Sequence, residues 1–380
     1  MNSDLTFIGR NIRFLRRARN WTLEDLATRI GIHKGPLGRI ERGKNLPSAT
    51  VIYNLSTTFN VSIDTLFSPD MLHQAPVETG SGEDTCFVSL EPDPVPLPGN
   101  LLGACREIMA AFHALEDICQ VPKHATVPLS IPFSPSYGGM EDLAARLRTY
   151  LSTGDAVVFD YFELFENAGL RVMVFPFPRG TSNIEAVSFY EPAFHNAFFF
   201  LNSRNNPEKQ LFSLARELGK ILISNQIHRQ KSPVFPPTQS SENVKRPITA
   251  DRAARRFAST FLMPEPAVRA TVSQLGVSTE SWSWELLLRI KHRFGVSAET
   301  FLYRLHELDL ISDPVRDLIK TRIKAFYAAN GLIEPDSTRH SLSPNGRFFD
   351  LLITAGNITS AQQEVAEIEK MVSKKKIIKI

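Results

Sequence analysis

The stretch FSLARELGKILIS, residues 212–224, decides how the rest of this chain is read. Its apolar residues Phe212, Ala215, Leu218, Ile221 and Leu222 recur at helical spacing, which predicts a mostly buried helix. Two strand-like runs precede it, RVMVFPF at 171–177 and NAFFFL at 196–201, and a further helical run at 250–263 ends in FLMP. At the centre stand Arg216, Glu217, Leu218, Gly219 and Lys220. Their spacing is that of H-E-x-x-H, in which two histidines one helical turn apart bind zinc and the glutamate acts as general base. Here both histidine positions hold cations.

Composition narrows the class. At 380 residues the chain has room for two or three domains. Its 43% hydrophobic and 22% charged residues are those of a globular protein. No apolar run approaches the ~20 residues that cross a bilayer, and MNSDLTFIGRN lacks the apolar segment of a signal peptide, so a cytoplasmic protein without membrane contact is expected. Cys86, Cys105 and Cys119 have no C-x-x-C spacing and fit reduced thiols. The net charge of +3 conceals an asymmetry, because ten of the Lys and Arg residues lie before residue 45. A basic segment on a nearly neutral body is suited to phosphate binding.

That segment is patterned. Phe7, Ile8, Ile12 and Leu15 predict an amphipathic helix with Arg10, Arg13, Arg16 and Arg17 on its other faces. Thr22 is placed to cap a second helix at 23–30, with Asp25 closing a capping box. Gly31 makes the turn into a third helix at 34–42, and two more follow at 48–59 and 62–67. TLEDLATRIGIHKGPLGRIERGKNLP, within residues 8–66, resembles the Cro/repressor-type (XRE) helix-turn-helix family. The resemblance implies a DNA-binding fold, with a repurposed dimerisation module as the competing use. It places Thr22 and Thr28 at phosphates, Lys34, Gly35 and Arg39 on the recognition helix, and Arg42, Lys44 and Asn45 as backbone contacts after it. Gly35, Pro36 and Gly38 depart from a good recognition helix, since two glycines weaken it and Pro36 is tolerated only in the first turn. Base readout then rests chiefly on Lys34 and Arg39, and Glu41 is expected to be structural.

Residues 69–100 carry prolines at 69, 76, 92, 94, 96 and 98 and read as a linker, within which CFVSL at 86–90 is a weak edge-strand candidate. Leu101, Cys105, Ile108, Phe112, Leu115 and Cys119 mark an amphipathic helix, either a seam between subunits or internal core. Beyond it, the pairing of ARELG with RFASTFLMP over about 143–264 resembles the ImmA/IrrE family of metallopeptidase-like domains. On that resemblance Arg216 and Lys220 occupy the two histidine positions and Glu217 keeps the general-base position. Asp251 and Ala253 occupy the acidic positions of the later helix, and Arg255 the position of an asparagine. A guanidinium cannot ligate a metal and a lysine does so only after losing its proton. Glu217 and Asp251 alone are too few ligands, so no metal and no cofactor are expected, and Arg216 or Lys220 should pair with Glu217 or Asp251 instead. His195 and His228 have no ligand spacing, and residues 224–247 read as a loop. The run 295–311 has a second helix-turn-helix pattern, for which a packing helix pair is the simpler account.

The expected fold is mainly α with a small β-sheet (α+β): a five-helix DNA-binding domain at 1–68, the linker at 69–100, a zincin-like ImmA/IrrE domain at 101–265 and a helical region at 266–380. The expected function is that of a transcriptional regulator, a repressor that binds a double-stranded DNA operator as a homodimer at the nucleoid. Its pseudo-peptidase domain would serve sensing, dimerisation or the binding of a protein or small-molecule effector. The alternatives are an active zinc metallopeptidase that cleaves a repressor, and an antitoxin or antirepressor.

Overall fold

The computed structural model describes residues 3–19, 21–59, 61, 63–67, 85–90, 96–230, 248–331, 333–337 and 344–377. The head is built from α1 (Ser3–Ala18), α2 (Leu23–Arg29), α3 (Lys34–Glu41), α4 (Ala49–Phe59) and α5 (Ile63–Phe67). Thr22 opens α2 with a complete capping box: its hydroxyl accepts from Asp25 N at 3.1 Å, and the Asp25 carboxylate accepts from Thr22 N at 2.8 Å. Gly31, at φ +72°, makes the turn to α3 that a side chain would resist. The apolar faces meet in one small core around Ile12, Leu15, Leu26, Leu37, Leu55 and Phe59.

The body is organised on a four-stranded sheet of β1 (Cys86–Phe87), β2 (Arg171–Phe175), β3 (Ala186–Glu191) and β4 (Asn196–Asn202), in the order β1-β3-β4-β2. β2 runs parallel to β4, and the other pairings are antiparallel. Every residue of β2 and β4 is buried, which explains why both read as continuous apolar runs. Phe198 and Phe200 face a layer of α6 (Gly99–Ile118), α15 (Gly346–Gly356) and α16 (Gln362–Lys375). Ala197, Phe199 and Leu201 face α7 (Tyr137–Tyr150), α8 (Tyr161–Asn167), α9 (Pro207–Gln230) and α10 (Ala250–Leu262). This second core continues into α11 (Glu265–Gln274), α12 (Trp284–Lys291), α13 (Ala298–Glu307) and α14 (Asp313–Asn330) through Val268, Leu287, Phe301 and Ile319.

Several expectations change. β2 stops at Phe175, because Pro176 has no N–H to give a ladder. Residues 86–90 join the sheet through the Cys86–Tyr190 and Phe87–Phe189 pairs, and Val88 N donates to Ser188 O at 3.0 Å. Residues 69–84 and 91–95 of the expected linker lie outside the described residues, and its last two residues, Gly99 and Asn100, open α6. The first part of the expected loop at 224–247 is helical, since α9 continues to Gln230, and residues 231–247 lie outside the described residues. Of the polar residues that suggested a loop, Asn225 and Gln226 are buried and dock the 129–133 segment. Asn225 Nδ2 donates to Leu129 O at 2.7 Å, and Gln226 exchanges two 2.9 Å bonds with the backbone of Phe133. Leu101, Cys105, Ile108, Phe112 and Leu115 are buried within this chain, where Phe112 meets Phe198 edge-on.

One buried carboxyl yields a test of the packing between α8 and α15. Glu166 accepts from Arg347 N at 3.0 Å, while its Oε1 has no partner among the described residues, and burial pushes its pKa up to about 8. A carboxyl raised in the folded state costs stability once pH exceeds its unfolded pKa, and the cost grows until the folded pKa is passed. Glu166→Gln is therefore expected to raise the thermal midpoint at pH 7–8, by an amount on the order of 2–3 kcal/mol, and to leave it nearly unchanged near pH 4. Thermal unfolding at the two pH values checks this.

Candidate nucleic-acid interface and the cleft between α9 and α10

The recognition surface depends on how α3 is held. A methyl group at Gly9 would collide with the carbonyl oxygen of Ile40, so α1 and α3 cross at backbone contact. Beside that crossing Glu41 accepts two bonds from Arg16, at 2.6 and 2.9 Å, and Arg16 also donates to Trp21 O at 2.8 Å. The Glu41 hydrogen bond holds the Arg16 guanidinium above its ordinary pKa despite burial. Arg19 likewise turns inward, donating to Phe59 O and lying over the rings of Trp21 and Phe59, and burial lowers it to about 10. Two of the ten cations counted in the basic segment are therefore part of the fold.

The other face of α3 is open. Lys34, Gly35 and Arg39 are exposed, as are Thr22 and Thr28 beside them and Arg42, Lys44 and Asn45 beyond the helix end. Lys34 pairs with Glu24 at 2.9 Å, both well exposed. The two glycines of α3 differ. A Cβ on Gly35 would meet nothing within 4 Å, whereas one on Gly38 would press on the Leu23 side chain at 3.2 Å, so Gly38 serves the α2–α3 contact.

In the body, α9 and α10 cross at Gly219, where a Cβ would stand 2.8 Å from the Phe257 ring and 3.3 Å from Ala254 O. This crossing sets Arg216, Glu217 and Lys220 of α9 against Asp251 and Arg255 of α10. Arg216 Nη2 reaches Asp251 Oδ1 at 2.6 Å, and Arg255 Nε reaches Oδ2 of the same carboxylate at 2.9 Å. Burial alone would raise Asp251, but the hydrogen bonds from Arg255 and Arg216 outweigh it and hold its pKa below the ordinary value. Lys220 Nζ bonds both oxygens of the buried Glu217 at 2.9 Å, and Ser188 Oγ of β3 donates to Glu217 Oε2 at 2.6 Å. Arg216, Glu217, Lys220 and Arg255 line a cleft of about 350 Å³. Among the described residues no group of three or more His, Cys, Asp or Glu is arranged to hold a metal ion. His195 lies elsewhere, its ring 5.6 Å from that of Phe14 in the head.

Residues 12–66 match the helix-turn-helix family, and residues 165–306 match the IrrE N-terminal-like domain. Over 62 residues, 16% of this chain and 90% of the relative, the chain is 42% identical to the uncharacterized HTH-type transcriptional regulator YazB of Bacillus subtilis (strain 168). This chain belongs to the helix-turn-helix transcriptional regulators. Over 63 residues it is 35% identical to the HTH-type transcriptional regulator SutR of Escherichia coli (strain K12), matching 17% of this chain and 35% of that protein. The solved complex of Bacillus thuringiensis PlcR with the peptide PapR7 and DNA is 11% identical with a TM-score of 0.19 over 97% of this chain and 99% of that one, a likeness too slight to carry an argument. The molecule is thus a DNA-binding helix-turn-helix regulator with an IrrE-like domain, and these two relatives each match less than a fifth of it.

Within this regulator the sequence missed Ser188, whose only signal was its inward place in the alternation of AVSFYE, and the internal use of Arg16 and Arg19. Glu41 is buried and structural, while Arg39 is exposed. Glu41→Ala is expected to lower the stability of the head by about 2–3 kcal/mol, because it strands the Arg16 guanidinium. Arg39→Ala should stay within about 0.5 kcal/mol of the parent. Thermal unfolding of both variants measures the difference.

Proposed function

We propose that this regulator binds a palindromic double-stranded operator as a homodimer, with α3 in the major groove, and represses transcription. In this proposal the IrrE-like part acts as a sensing, dimerising or partner-binding body rather than as a peptidase. Its operator would lie in the cytoplasm, at the nucleoid. We keep the division into head (1–68), linker (69–100), IrrE-like body (101–265) and helical region (266–380) as part of the same proposal.

One observation carries the non-catalytic half: the two histidine positions of the zinc motif hold Arg216 and Lys220, and each is ion-paired with a carboxylate beside it. Zinc needs lone pairs from imidazole, thiolate or carboxylate at roughly 2.0–2.3 Å. Arg216 offers none, Lys220 donates all it shows, and Glu217 and Asp251 already accept from neighbouring cations. This donor set does not fit zinc.

The DNA-binding half rests on the exposed cations of α3 and its C-terminal turn. Phosphate contacts from Arg42, Lys44, Asn45, Thr22 and Thr28 would fix register, while Lys34 and Arg39 would read base edges. Lys34→Ala with Arg39→Ala is expected to reduce operator affinity on the order of 100-fold, with the thermal midpoint held. DNA fragments retained by the purified protein supply the operator, and electrophoretic titration measures the change. Unchanged affinity would reject the assignment of α3. Glu217→Gln is expected to leave operator affinity and repression within about twofold. Loss of repression with retained DNA binding, accompanied by loss of cleavage of a repressor protein, would establish the peptidase instead.

A further inference from the structure

The cleft between α9 and α10 has more to give than to receive. Glu217 accepts three bonds, from Ser188 and twice from Lys220, and is 3% exposed. Both oxygens of Asp251 are taken by guanidinium groups. The donors are not used up. An arginine carries five N–H groups and an ammonium three. Arg255 spends Nε on Asp251 and leaves both terminal nitrogens without a partner among the described residues, and Arg216 Nε has none either. Lys220 has a third N–H beyond its two bonds to Glu217.

The charges lean the same way. Arg216, Lys220 and Arg255 face Glu217 and Asp251, while Glu185 at the rim is held by Lys209 at 3.0 Å. One positive charge is therefore left over in a polar cleft. It is reachable, because the side chains of Arg255 and Arg216 are 55% and 25% exposed. A group that brings only acceptors and one or two negative charges completes this surface, and a planar guanidinium pairs with two oxygens of such a group at once.

We infer that this cleft is a receptor for a small oxyanion, a metabolite carrying a carboxylate or a phosphate, seated on Arg255 and Arg216 where the related domains hold their metal. This rests on the proposed non-catalytic role of the IrrE-like body and names the class of effector it takes. An oxyanion there competes with Asp251 of α10 for the guanidinium of Arg216 on α9, so occupancy acts on the contact between the two helices.

Calorimetric titration of the full chain with inorganic phosphate and, separately, with succinate tests this at constant ionic strength, with choline chloride as the cationic control. Saturable binding of one of the two oxyanions is expected, and which one binds distinguishes phosphate from carboxylate. Arg255→Gln should weaken it at least tenfold, whereas Arg39→Gln, which removes a cation from the head, should not change it. No saturable binding of either oxyanion, equal binding by Arg255→Gln, or loss on Arg39→Gln would overturn the inference. Metal content of the same sample separates the two levels. Stoichiometric zinc removes the non-catalytic role itself, and a metal-free protein that binds neither oxyanion overturns the oxyanion receptor alone.

Discussion

One carboxylate, Asp251, shared at 2.6 and 2.9 Å between Arg216 and Arg255, ties α10 to α9 on one face of the sheet that organises the body of this protein. The crossing of α9 and α10 at Gly219 leaves no room for a side chain, so polar groups flanking it are forced into one cleft. Cations at the positions where the resembled family has histidines would repel one another there. Their pairing with Asp251 and Glu217 turns that repulsion into a set of charge-assisted hydrogen bonds. Removing one member of such a set strands another in a partly buried site, which costs far more than the pair itself contributes. The arrangement thus holds the helix pair through charge-assisted hydrogen bonds.

The head repeats this logic on a smaller scale. The Arg16–Glu41 pair and the close approach at Gly9 fix α3 against α1 from inside. The outer side of α3 is then free to carry the exposed cations Lys34 and Arg39. In both parts of the molecule an ion pair helps to hold a helix, and further polar side chains project from that helix.

Much of this was legible from residue patterns. The capping box at Thr22 and Asp25, the turn at Gly31 and the apolar runs of β2 and β4 all follow from local rules that tertiary packing did not override. The structural role of Glu41 was visible as well, although its partner was not, because Arg16 looked like one more phosphate-binding cation. What stayed hidden was tertiary. Asn225 and Gln226 looked like loop residues, since nothing local shows that the backbone of Leu129 and Phe133 will come to meet them. Gly38 looked like a defect of the recognition helix until Leu23 was seen to need its space. Ser188 became part of the cleft only through the placement of β3 beside α9.

In the proposed reading, charge pairs and not a metal occupy the centre of the IrrE-like domain. Anomalous diffraction at the zinc edge, from crystals of the full chain grown with zinc present, tests it most directly. The account predicts no anomalous peak within bonding distance of the Glu217 and Asp251 carboxylates, and density for the Arg216–Asp251 and Lys220–Glu217 contacts. A peak bonded to Glu217, with Arg216 or Lys220 swung away, would contradict it.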